Sequence, residues 1–424
     1  MRLLPVLSLM LCVPLCAGAV PSEFLTTGDG SYYNPYRLSK AVHLAELDKE
    51  VRGGTSFAGK FLVLAADIDM SELPEWAGVF AGIGEADENA MFSSSFCGDF
   101  NGRHFTVSNL DIDASDDYGC GLFNSVDGGA YIHHLLLDSS CSVSGGCNTG
   151  AVAGTVWDGM VEFCSSAAAV RGLRNVGGIA GTLHSGAVRH CSNTARVDAV
   201  KGVGGIVGLM DGITSVTGCY NTGVVAASTF GACAGIAGQG FGRADVMACY
   251  NTGLVSGRRS EEFDIELSNI LSDAPAVVWK GSVAGCCAVS ALSGIAEDGV
   301  TDFSEAEFRT ATPAALLNDA LESSDYSPAP NSTAVAADRR FTFAAGVNGG
   351  FPVLGWELNA PGSAIAGVAP DGVTGFVVEG TRVYSVSGAV LRVADLSGRI
   401  VARGADLTLS PGVYLVGDKK ILIN

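Results

Sequence analysis

The chain has 424 residues, 48% hydrophobic and only 16% charged, with 44 acidic against 25 basic side chains and a net charge of −19. So much apolar surface with so little charge excludes intrinsic disorder, and the acidic balance excludes nucleic acid as a partner, because neutralising phosphates takes clustered Lys and Arg. Glycine is plentiful at 57, yet proline is scarce at 13 and no Gly triplet runs through the chain, which excludes collagen.

At the N-terminus, Arg2 precedes an apolar run over residues 3–16 and then Ala17-Gly18-Ala19. This is the pattern of a secretory signal peptide, residues 1–19, cleaved after Ala19. No later stretch reaches the roughly 20 uninterrupted apolar residues of a membrane span, so the sequence predicts an exported chain without a transmembrane segment. Cleavage removes Cys12 and Cys16 and leaves 11 of the 13 cysteines, an odd number that cannot all pair within one chain. A helix is predicted over 39–52, with Ser39 as N-cap, Ala41, Leu44, Leu47 and Val51 as one apolar stripe, and Gly53-Gly54 as its stop. Placed first, it caps the open edge of the sheet beyond it.

The middle of the chain is a repeat. A core of Gly/Ala, Gly/Ala, Ile/Val, Ala/Val, Gly ends at Gly154, Gly181, Gly208 and Gly238, at spacings of 27, 27 and 30. Each core is followed 10 or 11 residues later by a cysteine: Cys164, Cys191, Cys219 and Cys249. The last two repeats share Cys-Tyr-Asn-Thr-Gly, carrying Tyr220-Asn221 and Tyr250-Asn251, with Asn193 in the same phase. Short apolar runs broken by Gly and Asn hold no i, i+3, i+4 stripe and read as strands and turns. A unit this short cannot bury its apolar face alone and must stack on its neighbours. The predicted fold is all-β: a right-handed parallel β-helix, a solenoid, over residues 20–257 with an N-terminal capping helix.

In such coils Asn193, Asn221 and Asn251 form an amide ladder, and Cys164, Cys191, Cys219 and Cys249 form a thiol ladder in the core. Metal ligands converge on a point, whereas a ladder lays thiols in a line at strand spacing, so neither metal nor cofactor is expected. Tyr220 and Tyr250, one residue on, are expected to point outward and stack across adjacent coils as an aromatic platform for a sugar ring or peptide. Another register offers polar residues coil after coil: Asp158 before Gly159, Asp211 before Gly212, and Arg243 after Gly242. Two readings stay open for it. One is turn chemistry, in which Gly supplies positive φ and Asp bonds its own backbone; the other is a lyase whose carboxylates hold Ca²⁺ against an acidic sugar, with Arg243 as base.

Residues 258–357 are expected to be the irregular end of the solenoid, with a helix over 304–322 interrupted near Pro313 and a closing strand within 348–356. A linker of small residues over 358–371 leads to a segment over 372–424 with seven short alternating runs, at 376–378, 383–386, 390–393, 400–402, 407–409, 413–416 and 421–423. These predict a small C-terminal β-sandwich.

Val176-Gly177-Gly178-Ile179-Ala180-Gly181 and Val203-Gly204-Gly205-Ile206-Val207-Gly208, with the trailing Cys219-Tyr220-Asn221-Thr222-Gly223, resemble the GLUG motif found in tandem in bacterial surface proteins. Phe100-Asn101-Gly102-Arg103-His104 fits the same family, except that Arg103 stands in a turn where the family more often has Gly or Asn. Asp395-Leu396-Ser397-Gly398-Arg399 and Pro411-Gly412-Val413-Tyr414-Leu415-Val416 resemble the C-terminal sorting domain of the type IX secretion system. Together the resemblances imply a bacterial adhesin-like protein, exported to the cell surface or beyond. It would bind a glycan or a surface protein without catalysis and meet the secretion machinery through its C-terminal domain. They bring no catalytic residues. The alternative is a β-helical polysaccharide lyase or glycoside hydrolase that uses Asp158, Asp211 and Arg243.

Overall fold

The computed structural model describes residues 22–86, 94–229, 231–257, 265–273, 281–323 without 294, 296 and 298, 336–358 without 345 and 346, and the strands between 376 and 423. The predicted signal peptide and the linker beyond 358 lie outside them.

The chain winds through three sheets in which every strand pairing is parallel, the arrangement of a β-solenoid. In one coil, Ser165–Ser166 lies in the first sheet, Ala169–Gly177 in the second and Ala180–Arg189 in the third, before Ser192–Asn193 returns to pair with Ser165–Ser166. The Gly-Gly step of the repeat is a steric requirement. A Cβ on Gly178 would lie 2.2 Å from the Gly205 carbonyl oxygen, and one on Gly205 would lie 2.1 Å from that of Gly235. The residue after it turns inward: Ile179, Ile206, Ile236 and Ile270 are fully buried, each coil bonded to the next through their backbones. Each such side chain contributes roughly 1.5–3 kcal/mol by leaving water.

The solenoid runs past the expected boundary at 257. Ile265–Ser268, Leu271–Asp273, Val283–Ala284, Cys287–Ala288 and Thr301–Asp302 all continue the three sheets in parallel. At the other end, helix Ala41–Arg52 buries the predicted stripe of Ala41, Leu44, Leu47 and Val51 in the solenoid core. Its N-cap is Lys40, not Ser39, and no side chain caps it; the Ser39 backbone N–H instead donates to His43 Nδ1 at 3.1 Å.

The segment after the last coil departs from expectation. A capping box between Ser304 and Glu307 starts the short helix Glu305–Phe308, and Thr310 caps a new helix, Ala311–Glu322. The break therefore falls before Pro313, which sits in the first turn where its missing N–H costs nothing. The expected closing strand is Val353–Leu354, and it pairs antiparallel with Phe341–Thr342 rather than joining a solenoid sheet. In the C-terminal segment the seven expected runs correspond to seven strands in two antiparallel sheets, of three and four strands.

Candidate functional site

The ladders are built as stacked side chains. Asn193 Nδ2 donates to Asn221 Oδ1 at 2.8 Å, and Asn221 Nδ2 to Asn251 Oδ1 at 2.9 Å; the column continues to Asn269. Cys164, Cys191, Cys219 and Cys249 stack likewise and gain Cys286, each sulfur from Cys191 onward accepting from the backbone N–H of the cysteine one coil before. All are fully or almost fully buried thiols, and burial pushes Cys191, Cys249 and Cys286 well above the usual cysteine range. Cys191, Cys249 and Cys286, so held, are poor nucleophiles, because the thiolate is the reactive form. Among the described residues no cluster of His, Cys, Asp and Glu could hold a metal ion.

Tyr220 and Tyr250 do stack across adjacent coils, with centroids 4.9 Å apart and planes 2° apart. The expectation that they form an exposed platform is corrected: both are 0% exposed. Elements between 303 and 357 lie across them as a strap. Phe308 and Phe341 pack against Tyr250, and Trp356 donates its indole N–H to the His190 carbonyl at 2.9 Å. Glu357 accepts from Ser192 Oγ at 2.6 Å and from Tyr220 Oη at 2.9 Å, while Tyr250 Oη donates to the Pro352 carbonyl. Burial raises the Glu357 carboxyl to about 7, against the lowering effect of these hydrogen bonds. The physical reason for the correction is that aromatic rings on a flat flank are apolar area, and the downstream chain covers it.

The polar register does not converge. Ser185, Ile213 and Arg243 occupy one column on three successive coils, and Asp158 lies one coil earlier, just before the strand Gly159–Glu162 that pairs with the Ser185 strand. At the usual strand spacing Asp158 and Arg243 are therefore about 14 Å apart. Asp211 falls outside the column, in a bulge closed by Gly212 at φ 81°. Its carboxylate lies 3.6 Å from His184, and Arg243 pairs with Asp245 at 3.5 Å.

A concave feature that spans coils lies on the second sheet. Ser144, Arg171, Asp198 and Ala226 stand in register on consecutive strands. Beside them runs the small-residue column Gly172, Ala199, Ala227, and beyond it the exposed Leu173 and Val200. Together with Ser115 one coil earlier they line a groove of about 600 Å³. It crosses five strands, so it runs along the solenoid axis for roughly 19 Å. Arg196 grips Asp198 with both nitrogens, at 2.7 and 2.8 Å, which leaves the largely exposed Arg171 projecting over the groove with only a 4.0 Å approach to that carboxylate. Sequence reasoning missed this site. Its signal was available: outward positions where successive repeats differ, inside units that otherwise repeat.

No family model matches the chain. It is 32% identical over 133 residues to Halomucin from Haloquadratum walsbyi, a match to 30% of this chain that spans about 1% of that relative's length. A solved structure of a "putative immunoglobulin A1 protease" from Bacteroides ovatus superposes with a TM-score of 0.54 at 18% identity, covering 78% of this chain and 94% of that one. That likeness shows the solenoid fold. Among the described residues no helix is long and apolar enough to cross a membrane.

Proposed function

We propose that this chain is an exported bacterial β-solenoid, displayed on the cell surface or released, that binds a linear glycan or an extended segment of a partner protein along its open flank without catalysis. The observation that carries the reading is the groove across five coils, where Leu173 and Val200 offer apolar contact and Arg171 and Ser144 offer polar contact to one extended polymer. A groove of this length takes about six residues of extended chain. The scatter of Asp158, Asp211 and Arg243 over a bulge and four coils supports binding over turnover. Export is supported by the signal-peptide pattern over 1–19, and residues 372–424 are read as a sorting domain from their motifs and seven strands.

The test is a glycan and peptide array probed with the chain from Val20, read for retained protein and for released reducing or unsaturated ends, with and without Ca²⁺. Retention lost in Arg171→Ser/Leu173→Ser supports the flank. Release of ends abolished by Asp211→Ala overturns the non-catalytic reading.

A further inference from the structure

A second concavity, of about 410 Å³, lies at the N-terminal end of the solenoid, away from the flank groove. Its walls come from the third sheet's first strands and the turn before them. Phe61 and Asp99 stand in register on neighbouring strands, as do Val63 and Asn101. Tyr32 and Tyr33 project from the preceding turn, 52% and 92% exposed, with rings edge to face at 5.2 Å; Tyr32 also meets Phe61 at 5.5 Å. A tyrosine so exposed covers none of the protein's own core. It presents a ring face to whatever enters.

Arg103 also lines the pocket, and its backbone, its bracing and its charge bear on what it can do there. It adopts φ 50°, a left-handed backbone that Gly or Asn takes with less strain, just before His104 at φ 62°, whose left-handed position His134, Phe163 and His190 repeat on later coils. The turn is braced by Asn101, whose Oδ1 accepts from the Arg103 backbone N–H at 2.8 Å, so the strained conformer is held in place. Among the described residues its guanidinium has no acidic partner, and Arg37 adds like charge nearby. The pocket's Asp99 carboxylate is directed to His133 Nε2 at 3.1 Å. Arg103 thus lines an aromatic pocket at a conformational cost and without an acidic partner, a combination suited to pairing with an anion that enters it.

We propose that this pocket binds the carboxylated ring of an acidic sugar. The Arg103 fork takes the carboxylate, the Tyr33 face stacks on the ring, and Asn101 Nδ2 and Asp99 take hydroxyls. The planar guanidinium matches a carboxylate in a two-point contact, which distinguishes a uronic acid from its neutral counterpart. The site is separate from the flank groove, and its test separates the two.

The chain from Val20 is titrated calorimetrically with a galacturonic-acid oligosaccharide and with the matching neutral galactose oligosaccharide. The uronate binds at least tenfold more tightly, and that preference shrinks between 50 and 500 mM NaCl, as screening requires. Arg103→Gly suits the left-handed turn, so it keeps the melting temperature while erasing the preference. Tyr33→Ala weakens uronate binding about tenfold, also without loss of stability. Arg171→Ser/Leu173→Ser leaves uronate binding unchanged. Equal affinity for both sugars, no uronate binding, or full uronate binding by Arg103→Gly overturns the proposal. So does loss of uronate binding in the flank variant alone, or capture of an acidic peptide through Arg103 in place of the sugar.

Discussion

Two flanks of one solenoid carry outward side chains in register, and only one of them is covered. On the first sheet the outward column is Tyr220 over Tyr250, and the strap buries both. On the second sheet it is Ser144, Arg171, Asp198 and Ala226, and the groove beside it stays open. The contrast teaches that an aromatic repeat is not by itself a binding face. Stacked rings offer the most apolar area per residue, so they are where the chain docks its own tail. The charged and small residues on the other flank can remain in water at little cost, and that flank stays open.

The largest expected effect tests whether the covered flank is a separable unit. Trp356→Ala removes a fully buried indole and its hydrogen bond to His190, a loss of about 3–5 kcal/mol. Hydrogen exchange should rise across Ala311–Glu322 and Val353–Leu354 while the Asn ladder stays protected. Equal loss of protection in the ladder would mean that strap and solenoid are one cooperative unit.

The docked strap is also expected to depend on pH from both sides. The Glu357 carboxyl is raised to about 7, so the folded chain retains a proton that the unfolded chain releases. Stability from this group is full below the ordinary value near 4.5 and declines as pH rises through about 7, by about 3 kcal/mol in total. Beneath Trp356, burial lowers His104 to about 4 and His190 to about 3. Their neutral forms are favoured in the fold, so stability falls as pH drops below the ordinary histidine value of about 6.5. Strap protection measured by exchange should therefore peak near pH 6–7. Glu357→Gln should flatten the alkaline limb and keep the acid one; an unchanged alkaline limb would show that another group controls it.

Asn221→Ala interrupts the amide ladder in the middle, leaving the Asn193 amide and the Asn251 carbonyl short of a partner. The two keep only their bonds to the Ala195 carbonyl and the Gly253 N–H, and the Gly223 backbone loses both of its bonds to the Asn221 side chain. A loss of roughly 2–3 kcal/mol is expected, read as a lower melting temperature. At the small end, Arg171→Ser/Leu173→Ser should leave stability within about 0.5 kcal/mol of the parent, because both side chains are exposed. If this double variant melts well below the parent, the open flank is structural like the covered one, and the comparison fails.

Much of the solenoid is legible in the sequence because its contacts are periodic. Asn193 meets Asn221, and Cys191 meets Cys219, 28 residues away in both cases, so each residue reports its neighbour through the repeat. The same logic reveals the seven C-terminal strands, where local alternation suffices. It fails where the period lapses: the coils beyond 257 lack the Gly-Gly core, and their pairing rests on neighbours rather than on a motif of their own. The groove was hidden for the opposite reason, since Arg171, Asp198 and Ala226 share a column without sharing a residue type.

By itself the sequence determined the parallel coils and their ladders, because a repeat that cannot bury its own face has to stack on its copies. Only the tertiary structure decided what the outward residues do. Glu357 reaches Tyr220 across 137 residues and Trp356 reaches His190 across 166, through contacts made once and repeated nowhere. An outward tyrosine reads the same whether water or the chain's own strap lies over it, and the difference is settled by where that distant segment comes to rest.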